Sequence, residues 1–91
     1  MPEQPPRRRA TALRYKHGEH APRVAASGTG LVAERIIAAA RAAGVPVRSD
    51  PALAEALSKL GLDREVPEEL WVAVAEALAW AYRLNARAAH A

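Results

Sequence analysis

Ala21-Pro22-Arg23-Val24-Ala25-Ala26-Ser27-Gly28-Thr29-Gly30, followed by Leu31-Val32, decides how the chain folds. Pro22 stands at the start of an apolar run, where a missing N–H costs a strand least. Ser27-Gly28-Thr29-Gly30 then breaks the extended pattern and opens a helix, with Thr29 as the expected N-cap. Val32, Ile36, Ala39, Ala40 and Ala43 recur at helical spacing, and Leu31 and Ile37 broaden the stripe. Gly44 stops that helix and Pro46 prevents its resumption. Val45, Val47 and Arg48 read as a short strand. Strand, helix, strand predicts a βαβ unit with a parallel pairing and a right-handed crossover.

Upstream, Thr11, Leu13 and Tyr15 alternate with Ala12 and Arg14, the period of a half-buried strand. Lys16-His17-Gly18-Glu19-His20 is a polar turn, so the two strands form a hairpin with an irregular loop. Downstream, Asp50-Pro51 caps a second helix. Leu53, Leu57 and Leu60 line one face of it, and Gly61 is its expected end. Leu62 to Val66 is a connector able to add a short edge strand. Pro67-Glu68-Glu69 opens the last helix with two acids that complement its dipole. That helix is expected to run to about Leu84. Leu70, Val74, Ala77, Leu78 and Ala81 fall on one side, and Trp71, Ala75, Ala79 and Tyr82 on another. A helix this apolar on both sides is deeply buried or presents a docking surface.

The expectation is therefore an α/β domain, a small mixed sheet of three to four strands covered by three helices. It spans residues 10–85, between a disordered basic tail (1–9) and a C-terminal tail (86–91). The chain has 91 residues, a net charge of +3 and no cysteine. A chain this short buries only a modest core, and without cysteine there are no disulfides and no thiolate chemistry. The prolines and charges after Met1 leave no signal core. The nearly apolar stretch from Leu70 to Tyr82, interrupted by Glu76, falls short of the roughly 20 residues of a membrane span. A cytoplasmic protein is expected.

Site chemistry is sparse. His17 and His20, with Glu19 between them, supply too few ligands for structural zinc, and His90 is distant, so a solvated loop is the better reading and no metal or other cofactor is expected. Gly28-Thr29-Gly30 lacks the lysine of a phosphate loop and the third glycine of a dinucleotide fingerprint. Ser27, Ser49 and Ser58 lie outside any nucleophile elbow, and no general base has a nameable partner, so an enzyme is not expected. Arg7-Arg8-Arg9, with Arg14, Lys16 and Arg23, offers a second reading as a basic stripe for nucleic acid, although such a run is more often a solvated tail.

In their order, these segments resemble a known family. Ala12-Leu13-Arg14-Tyr15, Ala21-Pro22-Arg23-Val24, the Gly28-Thr29-Gly30 turn, Val45-Pro46-Val47, Pro51-Ala52-Leu53-Ala54-Glu55-Ala56-Leu57 and Val66-Pro67-Glu68-Glu69-Leu70 are similar to the cytoplasmic domain of the FlhB/YscU family. Val74 to Trp80 resembles its closing helix, and the likeness covers roughly residues 10–84. The resemblance implies a soluble, FlhB-like component of type III (flagellar) protein export, cytoplasmic or peripheral at the membrane export gate. Its implied partners are export substrates, export-gate proteins and membrane-bound FlhB.

The family carries membrane helices that this sequence lacks, and a self-cleaving Asn-Pro-Thr-His turn. Counting back from Tyr15 places Pro5, Pro6, Arg7 and Arg8 at those four positions, and the only asparagine is Asn85. Cleavage needs the asparagine amide as nucleophile, which proline cannot supply. The resemblance also implies a patch that receives a short apolar motif of export substrates, here Ala21, Pro22, Ala75 and Leu78. Ala75 and Leu78 are three apart and share a helix face; the bland alternative is that all four are ordinary core residues.

Overall fold

The computed structural model describes residues 8–16 and 18–89; side chains are described only to residue 86. The expected basic tail therefore lies largely outside the described residues, as do His17 and His90.

Strand β1 (Arg9–Arg14) and strand β2 (Arg23–Thr29) form an antiparallel hairpin. The register runs from Arg9 opposite Thr29 to Ala12 opposite Ala26, then slips so that Leu13 faces Val24. Ala25 is thus an inserted bulge residue. A bulge changes which residues share a face: Ala26 and Gly28 lie toward helix α1 (Leu31–Ala42), whereas Val24 joins Leu13 on the opposite, core side. Helices α2 (Pro51–Leu57) and α3 (Trp71–Ala89) complete the set of three, α3 being preceded by a 3-10 turn at Glu68–Leu70.

The helix starts follow local chemistry. At α2, the Asp50 carboxylate accepts the Leu53 N–H at 3.1 Å and Pro51 occupies the first turn, satisfying one orphan donor. At α1, Thr29 is not the cap: it stays in β2 opposite Arg9, and Gly30 takes the cap position without a side-chain bond. Helix α2 ends at Leu57 rather than near Gly61, and the Ser58 hydroxyl donates to the Glu55 carbonyl at 2.6 Å. Helix α3 continues to Ala89, past the expected end near Leu84.

The expectation of three to four strands and a βαβ unit needs correction: the sheet has two strands among the described residues. Val45–Arg48 forms no strand, and its first two residues have no N–H to give a ladder. At the end of α1 the Val45 N–H is taken by the Ala40 carbonyl at 2.8 Å and the Gly44 N–H by that of Arg41 at 3.1 Å, a Schellman closure. Pro46 has no N–H at all. The free edge of β2 is met instead by the connector. Val24 donates to the Arg64 carbonyl and accepts from the Asp63 N–H, Val66 donates to the Pro22 carbonyl, and Arg23 and Glu65 form an isolated antiparallel bridge. The edge strand expected at Leu62–Val66 is thus present in rudiment.

The core lies on the side of the hairpin facing α2 and α3. Leu57, Val66 and Val74 are buried, and Leu13, Leu53, Leu60, Leu70, Trp71 and Leu78 pack around them. On the other side, Ala33 of α1 is fully buried. No described helix is long and apolar enough to cross a membrane.

Candidate functional site: an apolar groove between the hairpin and the last helix

Helix α3 enters the fold under the control of Trp71. Its indole Nε1–H donates to the Val66 carbonyl at 2.8 Å, fixing the ring against the connector. The His20 ring meets it edge-on, with centroids 5.6 Å apart and planes at 73°, a favoured arrangement for aromatic pairs. One turn on, Val74 is 1% exposed and forms a floor. Ala75 and Ala79 follow on the outer side, and their small side chains leave the space above unfilled.

The result is a groove of about 380 Å³. Its helix wall is Trp71, Ala75, Leu78, Ala79 and Tyr82; its hairpin wall is Tyr15, His20 and Pro22. The lining is almost wholly apolar. Tyr15 and Tyr82 stand exposed at its margins. An apolar concavity with a few polar tips suits an apolar side chain from a partner.

The four residues expected from the sequence divide here. Pro22, Ala75 and Leu78 line one groove. Ala21 does not line it; it is buried, 2% exposed, directly before Pro22. Pro22 is buried too but shows one side to the groove, Ala75 is exposed, and Leu78 is half-buried with contacts to the core as well. Sequence reasoning did not place Tyr15, His20, Trp71, Ala79 or Tyr82 in the site. The signal for three of them was available: Trp71, Ala79 and Tyr82 share the second apolar face of the last helix with Ala75.

The other candidate chemistries find little in the geometry. The His17-Glu19-His20 reading rests partly on a residue outside the described set, and no group of three or more potential metal ligands occurs among the described residues. Within the basic stripe, Arg9 is 3.9 Å from Glu55, Arg14 is 3.0 Å from Asp63 and Arg23 is 3.3 Å from Glu65, so three of its cations face carboxylates. The Arg8 carbonyl accepts the Gly30 N–H at 2.8 Å, tying the hairpin end together.

A two-stranded hairpin layered between helices, with an apolar groove along its last helix, defines this as a small α/β domain. Sequence comparison is specific about which: residues 5–81 match the model of the FlhB HrpN YscU SpaS family, and the chain belongs to that family. It is similar to the Bacillus subtilis protein YlqH, 44% identical over 86 residues that cover 93% of this chain and 92% of that one. It is also similar to the flagellar biosynthetic protein FlhB of Escherichia coli, 40% identical over 78 residues. That match covers 84% of this chain but 20% of FlhB, so the chain spans about a fifth of that relative's length. Among solved structures, the PscU C-terminal domain superposes with a TM-score of 0.75 at 34% identity, covering 79% of this chain and 94% of that one. An EscU C-terminal domain superposes with a TM-score of 0.79 at 31% identity, covering 84% and 94%.

Proposed function

We propose that this chain is a non-enzymatic interaction module of the type III export apparatus. It binds short apolar segments of export substrates, or of export-gate proteins including membrane-bound FlhB, in the groove between the hairpin and α3. The observation that carries this reading is that Pro22, Ala75 and Leu78, distant in sequence, line one apolar groove. Family membership supplies the export context. The module works by occupancy: a partner's apolar side chain sits on Val74 and Ala75 between Trp71 and Leu78, displacing water, while the rigid Pro22 holds the opposite wall. Burying such a side chain is worth about 1.5–3 kcal/mol, the scale of a reversible contact. Self-cleavage is not part of the function, because Pro5 and Pro6 stand where the family's turn has Asn-Pro and no asparagine amide is available to attack the backbone. The module works at the cytoplasmic side of the export gate, where it substitutes for, or competes with, the corresponding domain of the membrane-bound protein.

The test is binding of N-terminal peptides of export substrates to the purified protein by calorimetry. Leu78→Asp should abolish binding, but Leu78 also packs on the core, so Ala75→Glu, at an exposed position, is the cleaner variant. A charge set on the groove floor should lower affinity about tenfold or more, equivalent to roughly 1.4 kcal/mol, while Arg8→Ala leaves it unchanged. Unaltered affinity in a folded Ala75→Glu protein sinks the assignment. Binding that collapses with added salt and is lost with Arg8→Ala would instead support the nucleic-acid or acidic-partner reading, to which the structure and the comparisons give no support.

A further inference from the structure

One face of α3 stays uncovered among the described residues, and it carries a charge pattern of its own. Val72, Ala75, Ala79, Tyr82 and Ala86 recur at alternating steps of three and four, so they form one line along the helix. All five are exposed, Val72 by 76% and Tyr82 by 56%. The packing side of this segment is elsewhere, at Leu70, Val74 and Leu78. Between Trp71 and Ala86 the only charged residues are Glu76 and Arg83. Both are exposed, and both lie on the same flank of the line, each directly after one of its members. They stand about 10 Å apart along the helix, too far to meet each other. Among the described residues the ion pairs join Arg9 with Glu55, Arg14 with Asp63 and Arg23 with Glu65, and neither charge of α3 takes part.

Opposite signs at that spacing make the face complementary to itself. A two-fold axis sets residue i of one copy against residue j of the other, and j against i. With two α3 helices antiparallel, Glu76 of each copy meets Arg83 of the other, and both charges are matched. A parallel pair sets Glu76 against Glu76 and Arg83 against Arg83. Flanking charges fix orientation in paired helices, so here they select the antiparallel arrangement. In that register Ala79 stands opposite Tyr82 of the second copy, and Ala75 opposite its Ala86. A ring thus enters space that alanine leaves empty. That space belongs to the groove, which Ala75, Ala79 and Tyr82 line.

We propose that the exposed face of α3 is the contact between two copies of this chain. The helices pack antiparallel about a two-fold axis, with Tyr82 of each copy over Ala79 of the other and Glu76 paired with Arg83 across the rim. From Val72 to Ala86 the helix runs about 21 Å, a contact smaller than an obligate interface, so the dimer is reversible. Val72 and Tyr82 supply the apolar area, and the charges set register and partner. A second copy seated there also closes the groove to any other segment. That consequence rests on the function proposed above, whereas the dimer does not. A second apolar hollow, about 350 Å³, lies between α1 and the hairpin, lined by Ala12, Leu13, Ile36, Ala39, Ala43 and Val45, and takes no part in this contact.

The test is sedimentation equilibrium of the purified full chain from about 10 μM to about 1 mM. The unaltered chain should pass from monomer to dimer across that range. Glu76→Arg and Arg83→Glu each set like charges at both rim contacts. One exposed pair is worth little, but the two-fold axis counts every reversal twice, so each variant should dimerise about tenfold or more weakly. An equimolar mixture of the two variants should recover the original affinity as a heterodimer, because each offers the sign the other needs. Both positions are exposed and outside the groove lining, so circular dichroism should show both variants folded. Three results overturn the proposal: an unaltered chain still monomeric at about 1 mM, single variants that dimerise as tightly as the original, or a mixture that recovers nothing. Peptide binding to the groove is read separately, by calorimetry on Glu76→Arg. Peptide binding without any dimer sinks the dimer alone; a dimer without peptide binding sinks the export reading alone.

Discussion

Replacing Gly28 by alanine should loosen α1 from the hairpin, and the cause lies in a single contact. A Cβ at Gly28 would stand 2.2 Å from Val32 Cγ1 and 2.8 Å from Val32 Cβ. Rotating Val32 relieves the first clash but not the second, because its Cβ is fixed to the helix backbone. The first turn of α1 must therefore lift, disturbing the neighbouring Ala33, which is fully buried. Overpacking of this kind costs about 1–3 kcal/mol. The stiffer unfolded chain of the alanine variant returns about 0.4–1 kcal/mol. The net expectation is a loss of about 1–2 kcal/mol, which in a domain of this size lowers the midpoint by roughly 4–8 °C per kcal/mol. Thermal unfolding followed by tryptophan fluorescence measures it. Val32 is about half exposed, so Val32→Ala alone should stay within about 0.5 kcal/mol of neutral. In the double variant it should recover part of the loss, since it removes Cγ1 and leaves Cβ. Gly30→Ala is the control: its φ is 59° with ψ −126° and nothing lies within 4 Å of the added carbon, so its penalty is conformational, about 1–3 kcal/mol, and Val32→Ala should not touch it. A neutral Gly28→Ala, or a loss that Val32→Ala fails to reduce, refutes the close-approach argument.

Trp71→Phe keeps a ring against His20 but removes the donor to the Val66 carbonyl, and should destabilise the protein by about 1–3 kcal/mol in urea unfolding followed by Trp80 fluorescence. Ala79→Leu at the outer side of the groove should leave stability unchanged or raise it by about 1 kcal/mol through added apolar burial, while weakening peptide binding in the groove at least several-fold by occupying its space; intact binding would mean that the groove is not used.

Much of the fold was legible because local chemistry and tertiary packing agree. Asp50-Pro51 starts α2 through a local cap, and Leu53 and Leu57 reach the core as their helical spacing implies, whereas Leu60 reaches it from the turn beyond the helix. The Gly44-Val45-Pro46 stop is equally local. The misreadings came where one residue had two competing uses. Val45 and Val47 are strand formers by type, but the Val45 N–H closes a helix, so propensity lost to capping. Gly28 reads as part of a flexible turn, yet it continues β2 opposite Ala10, and its missing side chain admits Val32. The Ala25 bulge carries no sequence mark, and it alone sends Val24 to the core and Ala26 to α1.

The candidate site was half legible for a related reason. Position along a helix shows which residues share a face but not what stands opposite. Ala75 and Leu78 could be paired from spacing, whereas the place of Pro22 across from them depends on the connector: Val66 donates to the Pro22 carbonyl and accepts from Trp71. Val66 is thus the joint that sets the groove's width, bonded on one side to the hairpin and on the other to the first residue of α3. Ala21 shows the other half of the argument. It has the small apolar character of a docking residue and sits beside one, but it lies in the bend before β2 and is buried there, while Pro22 meets the groove. Both hollows, moreover, are walled by alanines, Ala75 and Ala79 on one side and Ala39 and Ala43 on the other. Alanine favours the helix without filling the space beside it, so these helices form readily yet leave apolar surface uncovered. The core is closed by Leu57, Val66 and Val74 with the leucines and Trp71 packed around them; the alanine walls are not part of that cluster, and larger side chains there would fill the groove rather than complete the core.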